Sequence, residues 1–396
     1  MKNNTLIVFF VFSIILLNSN CKEENKKNAQ DQIDPTMKAN TTISGLNYAD
    51  FEDLIEGKAV ALYKLQNKNG LEATFTNYGQ RLVSLMVPDR DGKMEDIVLG
   101  YPSLEGYKIG NGGYFGAIIG RYGNRIAKGK FTIDGTEFDL AKNNNDNHLH
   151  GGNKGFESVV WDVDSVSQNY IRFKRISPDM EEGYPGNLSV SVEYTLTDAN
   201  ELKMDYSATT DKKTYVNLTH HSFFNLKGAG NGNINDHILQ INANSITPVD
   251  AGLIPTGELM PITNSSFDFN NPKTIQAGLD KEHEQLGLGN GFDHNFVLNP
   301  KIKNEEGLLI AAKVLEPKSG RVMELFTNEP GVQFYGGNFL DGTSVGKNNK
   351  TYDYRGALCL ETQHFPNSPN QKNFPSTLLE PGQEYTSTCI YKFSTQ

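Results

Sequence analysis

Between residues 44 and 396 the apolar side chains recur with a period of two, and hardly anywhere with the period of a helix. Leu188, Val190, Val192, Tyr194 and Leu196 alternate with polar residues, as a strand with one buried face requires. The stretches 58–65, 71–77, 80–87 and 385–393 also read as strands, and Pro88-Asp89-Arg90-Asp91-Gly92 follows the third as a turn. Asp134-Gly135, between the runs 130–133 and 136–140, is the strongest hairpin signal, because both residue types accept the positive φ of a tight turn. Only residues 274–285 suggest a short helix, and no repeating unit stands out. Strands joined by short turns bury their apolar faces by packing sheet on sheet or by closing into a barrel. The expectation is an all-β fold with few short helices, running as a single domain over residues 44–396.

The chain before that region has another character. Met1-Lys2-Asn3-Asn4 is a short basic start, and residues 6–17 are an apolar run of signal-peptide length. That run falls short of the roughly 20 residues a membrane-spanning helix needs. Asn18-Ser19-Asn20-Cys21 resembles a bacterial lipoprotein signal, although Asn20 departs from the small residue usual before the cysteine. Lys22-Glu23-Glu24 resembles a signal that routes such lipoproteins to the outer leaflet. Residues 22–40 are polar and poor in apolar side chains, the composition of a flexible tether. The expectation is a signal peptide over 1–20, lipidation at Cys21, a tether over 21–43, and an exported protein anchored by lipid to the bacterial outer membrane. A plain cleaved signal with an incidental cysteine is the other reading.

A net charge of −10 with no basic stretch argues against a nucleic-acid partner. The cysteines are Cys21, Cys359 and Cys389, with no CxxC, HExxH or finger spacing, so no structural metal is expected. Cys359 and Cys389 lie in apolar, strand-like runs and read as small buried residues rather than as a bridge.

Residues able to do chemistry gather in and beside four long polar segments, 143–157, 263–294, 340–355 and 362–375. The strand-like run Val216-Asn217-Leu218-Thr219-His220-His221 carries two adjacent histidines, of which an extended backbone aims only one into a given cavity. Gly120-Arg121-Tyr122-Gly123-Asn124-Arg125 places two arginines near glycines, and their fixed donors suit hydroxyls as well as anions. His148 and His150 share a face if the backbone between them is extended, which makes a metal pair conceivable, although no third ligand is evident. The favoured reading is a histidine that bonds a ligand hydroxyl, with Gly151 and Gly152 letting the backbone approach. Asp293 sits between aromatics, Gln333 lies on an alternating run, and Glu361 ends the apolar run Ala357-Leu358-Cys359-Leu360. A carboxylate at the mouth of a buried strand is partly desolvated and becomes a better base.

Taken together, these segments resemble the aldose 1-epimerase family. The resemblance runs in collinear order from about residue 59 to the C-terminus. It rests on Ile119-Gly120-Arg121 with Asn124-Arg125, Asn147 with Leu149-His150-Gly151-Gly152, Glu181-Glu182-Gly183-Tyr184-Pro185-Gly186 and the histidine strand. Gly291-Phe292-Asp293-His294, Gly331-Val332-Gln333-Phe334-Tyr335 and Leu360-Glu361-Thr362-Gln363 complete it. The family implies a β-supersandwich of large antiparallel sheets with an open carbohydrate cleft, an aldose substrate, and no metal or organic cofactor. It further implies Glu361 as base, His221 as acid and His150 as a second histidine near the ring oxygen. Asn124, Arg125, Asp293 and Gln333 then bind sugar hydroxyls. His220 departs from the family's usual Asn, and Phe223 from its common Tyr; strand alternation predicts that His220 faces away from His221.

The leading expectation is thus an isomerase that interconverts the anomers of free hexoses such as galactose or glucose. A surface sugar-binding protein on the same fold is the alternative, which need not keep both proton carriers. A glycoside hydrolase would require two carboxylates across the scissile bond and would leave the histidine without a role.

Overall fold

Antiparallel pairing organises the chain. The computed structural model describes residues 41–109 and 113–396; the predicted signal peptide, Cys21 and the tether as far as residue 40 lie outside the described residues. The largest sheet has nine strands, in the order Asp162–Val166, Tyr170–Ser177, Leu188–Leu196, Glu201–Thr210, Tyr385–Thr395, Arg321–Thr327, Leu309–Leu315, Ile238–Ile241 and Lys273–Thr274. A second sheet has five strands: Met260–Pro261, Ala243–Ile246, Asp293–Leu298, Gly331–Tyr335 and Cys359–Gln363. A third has four: Leu62–Gln66, Glu72–Thr76, Arg81–Pro88 and Met94–Asp96. One continuous apolar cluster draws residues from all three sheets, Leu65, Val192, Phe296 and Tyr391 among them. This is the all-β, large-sheet architecture expected, with only short helices among the described residues.

The alternation of Leu188–Leu196 does what its period requires. Val190, Val192, Tyr194 and Leu196 point inward and stand opposite Ala208, Tyr206, Met204 and Leu202, all buried. Each large apolar side chain so buried contributes about 1.5–3 kcal/mol, and a one-residue slip would expose the whole row. Asp134 and Gly135 have φ of 48° and 82° and close the hairpin between Lys130–Ile133 and Thr136–Asp139. Cys359 and Cys389 are buried and free.

Local details differ from the sequence reading. The run 58–65 is two strands, Lys58–Val60 and Leu62–Gln66, because the amide of Ala61 leaves the ladder and donates to Asn77 Oδ1 at 3.0 Å. The helix over 274–285 is two short helices, Ile275–Leu279 and Glu284–Leu288. The residues between them, Asp280-Lys281-Glu282-His283, offer no apolar side chain to bury, and His283 Nδ1 caps the second helix at the amide of Gln285. The long polar segment 340–355 is held by Lys347, a buried ammonium 2.6 Å from Asp96 Oδ2 that also meets the carbonyls of Val83 and Val98.

Arg121 is not a ligand-facing arginine. Its guanidinium is buried and donates to the carbonyls of Ser177, Pro178, Pro185 and Gly186 and to Ser177 Oγ, at 2.8–3.1 Å. Burial lowers its pKa to about 10, which leaves it charged at neutral pH. Removing it strands a buried set of carbonyls without donors. Arg121→Ala is expected to lower unfolding free energy by about 3 kcal/mol or more in urea titrations.

Candidate active site

Three strands of the five-stranded sheet are buried on both faces, and the two faces differ. Phe296, Val332, Phe334 and Leu360 enter the core on one side. On the other side the register sets Asn295 opposite Gln333 and Gln333 opposite Glu361; Asp293, Tyr335 and Cys359 form the neighbouring row. Period-two geometry thus collects acids and amides from distant parts of the chain onto one buried surface. The strand Thr219–His221 pairs with Ala117–Ile119, and Phe224 exchanges both backbone hydrogen bonds with Leu358. That docking brings His221 beside the start of the Glu361 strand.

A cleft of about 340 Å³ opens over this surface. Asn124, Arg125, His150, His221, Asp293 and Glu361 line it, together with Tyr114, Phe223, Tyr335 and Phe339. Of the residues to which the family resemblance gives a catalytic or sugar-binding role, Gln333 alone does not line the cleft. Its amide donates to Asp293 Oδ1 at 2.7 Å, which fixes that carboxylate from behind, and its Oε1 is buried without a protein partner. Arg125 Nη1 lies 3.9 Å from Asp293 Oδ2, and Arg125 Nε donates to Asn144 Oδ1 at 3.2 Å. Both charged heads are therefore held rigidly at the cleft wall.

The central pair is His221 and Glu361, with Nε2 and Oε1 3.6 Å apart and each residue no more than 5% exposed. Burial pushes Glu361 well above the ordinary carboxylate range; the nearby Asp293 adds to this and Arg125 opposes it. Burial lowers His221 to about 3. Both shifts favour the uncharged forms, a protonated carboxyl and a neutral imidazole. His220 takes the other face, as expected. Its Nε2 bonds Ser222 Oγ at 2.7 Å, and its ring packs near Tyr194 and Tyr391.

His148 and His150 do not form a pair. His150 has φ 52°, which breaks the extended backbone that would align them. His148 turns into the protein, where Nδ1 meets the carbonyl of Ala141 at 2.8 Å and Nε2 the Tyr184 hydroxyl at 2.7 Å. His150 turns into the cleft beside His221, ring centroids 5.2 Å apart. Gly151 follows at φ 90° with the Gly120 carbonyl only 1.9 Å from where a Cβ would stand, so no other residue fits.

His150, His221 and Glu361 place their ligand atoms within 4.8 Å of one another, close enough to ask whether they hold a metal. The hydrogen bonding of His150 answers against it. Its Nδ1 accepts the backbone N–H of Asn124 at 3.1 Å, so the ring proton of the neutral form is on Nε2. A metal-bound imidazole has the opposite arrangement, with the outer nitrogen donating. His150 instead presents an N–H to the cleft, suited to a sugar oxygen.

Several residues in or beside the cleft were missed from sequence. Cys359 lies two residues before Glu361 on the same strand face, and Phe223 two after His221, so period-two reasoning applied to each candidate would have found both. Tyr114, whose ring stacks near those of His150 and His221, follows no motif and had no such signal.

The sequence profile of the aldose 1-epimerase family matches residues 61–392, and the chain belongs to that family. It is 47% identical over 338 residues to the galactose mutarotase of Homo sapiens, covering 85% of this chain and 95% of that protein. It is 36% identical over 340 residues to the aldose 1-epimerase of Escherichia coli (strain K12), covering 85% and 96% respectively. Among solved structures, an aldose epimerase homologue from C. elegans superposes with a TM-score of 0.78 at 30% identity, over 85% of this chain and 99% of that one. Galactose 1-epimerase from Lactobacillus acidophilus gives 0.75 at 28% identity, over 87% and 97%.

The buried carboxyl predicts a pH-dependent cost. Because the pKa of Glu361 is raised in the folded state, the unfolded chain loses this proton first as pH climbs through about 4.5. Stability from this group is therefore lost as pH rises from there towards the folded pKa. Glu361→Gln is expected to be more stable than the wild type by more than about 1 kcal/mol at pH 8 and similar to it at pH 4, in denaturant unfolding at both values.

Proposed function

We propose that the protein is a mutarotase that interconverts the α and β anomers of free hexoses, galactose or glucose, by acid/base ring opening and reclosure. The observation that carries this is the facing pair of His221 and Glu361 in a sugar-sized cleft. Glu361 takes the proton of the anomeric hydroxyl while His221 gives one to the ring oxygen. The bond between C1 and the ring oxygen breaks, and C1 becomes a carbonyl carbon. Rotation about C1–C2 presents the other carbonyl face to the freed hydroxyl. Ring closure then returns one proton to His221 and the other from Glu361 to the anomeric oxygen. No group is transferred and no proton is gained or lost, so two positioned proton carriers suffice.

The charged pair, imidazolium with carboxylate, and the neutral pair contain the same number of protons. Ring opening converts the first into the second, which is the form burial favours. The open-chain sugar is therefore formed beside two uncharged carriers in a site that tolerates charge poorly. His150 gives its Nε2–H to the ring oxygen or a neighbouring hydroxyl, and Asn124, Arg125 and Asp293 hold the remaining hydroxyls, with Gln333 steadying Asp293. Support for galactose comes from the naming of the relatives. A pure sugar binder has no need for a histidine and a glutamate so placed.

In polarimetry of freshly dissolved α-galactose and α-glucose, His221→Ala and Glu361→Ala are each expected to lose about 10²–10⁴-fold in rate while remaining folded. Near-normal rates in both would overturn the assignment.

We propose further that Cys21 carries a lipid that anchors the protein outside the cytoplasm, supported by the apolar run 6–17 and the polar tether after the cysteine. Labelling by a fatty-acid precursor in cells is expected for the wild type and lost in Cys21→Ser; equal labelling of the two would overturn the anchor.

A further inference from the structure

The two ring nitrogens of His221 have different surroundings. Nε2 faces Glu361 Oε1 at 3.6 Å. Nδ1 faces the sulfur of Cys359 at 3.5 Å, and the backbone carbonyl of His221 itself also lies near the ring. Cys359 is fully buried on the same strand face as Glu361, in register with Tyr335. The titratable groups around the imidazole are Glu361, Cys359, His150 and Tyr114, with Arg81 acting from further away. The Phe223 ring stacks on it with centroids 4.9 Å apart. Among the described residues no carboxylate bonds Nδ1.

We propose that Cys359 is a positioning residue for the proton transfer: its sulfur accepts the Nδ1–H of His221 and holds the ring with Nε2 turned to the sugar. The proposal deepens the acid role given to His221 and rests on it. The tautomer follows from the acid role: Nε2, the nitrogen that faces Glu361, is the one that gives its proton to the sugar, so the proton left on the neutral ring is the one on Nδ1. With His221 protonated, both nitrogens carry hydrogen. In either state Nδ1 is a donor and needs an acceptor.

The choice of acceptor sets the acidity. Sulfur is a weak acceptor and, as a thiol, carries no charge. Burial, together with Glu361 and Asp293, pushes the Cys359 thiol well above its ordinary range, so it stays neutral. A carboxylate against Nδ1 would stabilise the imidazolium, as the buried aspartate of a hydrolase triad does for its histidine. That suits a histidine that must collect a proton from a hydroxyl nucleophile. A histidine that must surrender one to an ether-like ring oxygen is better served by a partner that orients it and leaves it strongly acidic.

The test uses the protein with Cys359→Ala and Cys359→Ser, read by ¹⁵N shifts of the His221 ring and by polarimetric kcat and KM against pH. The wild type is expected to show the Nδ1–H tautomer. Cys359→Ala is expected to mix tautomers and lower kcat by about threefold to thirtyfold, below the 10²-fold of a misplaced reacting group, with KM nearly unchanged. Cys359→Ser, which restores an acceptor of greater strength, should recover the tautomer and most of kcat and move the acid limb of the profile to higher pH. An unmixed tautomer with kcat within twofold in Cys359→Ala, or no recovery in Cys359→Ser, would overturn the proposal, as would an Nε2–H tautomer in the wild type. Absence of mutarotation in the wild type would count against the function, while the ring shifts would still decide whether the sulfur orients His221.

Discussion

The chemistry of this protein depends on the register of three neighbouring strands, Asp293–Leu298, Gly331–Tyr335 and Cys359–Gln363. One face of them carries Asp293 and Glu361 to the cleft with Gln333 and Cys359 buried beside them, and the other carries Phe296, Val332, Phe334 and Leu360 into the core. A shift of one residue on any strand would drive a carboxylate or amide into the apolar side and lift aromatics into the cleft. The apolar face therefore does more than stabilise. It makes the wrong register expensive, by about 1.5–3 kcal/mol for each large side chain displaced, and so fixes the positions of groups it never touches. A site built this way gains the stiffness of a sheet rather than of a loop.

That stiffness allows the site to hold charge where charge is unwelcome. Glu361 and His221 have little contact with water, and each is pushed toward its uncharged form. In an ordinary core such a pair would be replaced with gain by apolar residues of similar volume. Here the charged and neutral pairs contain the same protons, so the ring opening and closure proposed for them move the site from one to the other without exchanging a proton with solvent. Asp293 and Arg125 act on the pair in opposite senses, the first raising and the second lowering the affinity of Glu361 for its proton.

Local patterns in the chain were legible to different depths. The alternation of Leu188–Leu196 and the Asp134-Gly135 turn could be read directly, because each depends on neighbours within one or two residues. The individual site residues were also visible, as polar groups at the ends of apolar runs. Their assembly into rows was not, since register links strands separated by long stretches of chain. Two further features depend on single backbone angles or distant partners. The left-handed φ of His150 decides that it parts from His148, and Lys347 orders the segment 340–355 through Asp96. Neither the angle nor the partner has a local signature. The family resemblance singled out His150, and His150 is the one of the two that lines the cleft.

Three pairs of like residues lie close together in this chain, and in each the fold separates structure from site. Arg121 is buried among carbonyls and Arg125 faces the cleft; His148 points inward and His150 outward; His220 packs near Tyr194 and Tyr391 while His221 faces Glu361. Two of the buried members, Arg121 and His148, are connected. Arg121 binds the carbonyls of Pro185 and Gly186 and lies near that of Tyr184; the Tyr184 hydroxyl bonds His148 Nε2; and His148 pairs with Ile126, next to Arg125. The same two-residue ladder sets Leu149 opposite Arg125, immediately before His150 and the mutual hydrogen bonds of His150 with Asn124. The polar groups that never meet the sugar thus form a support running beneath three that face the cleft. Loss of Arg121 would act on the site through Tyr184 and His148, so the two histidines near Gly151 are best understood as one support and one contact rather than as a pair.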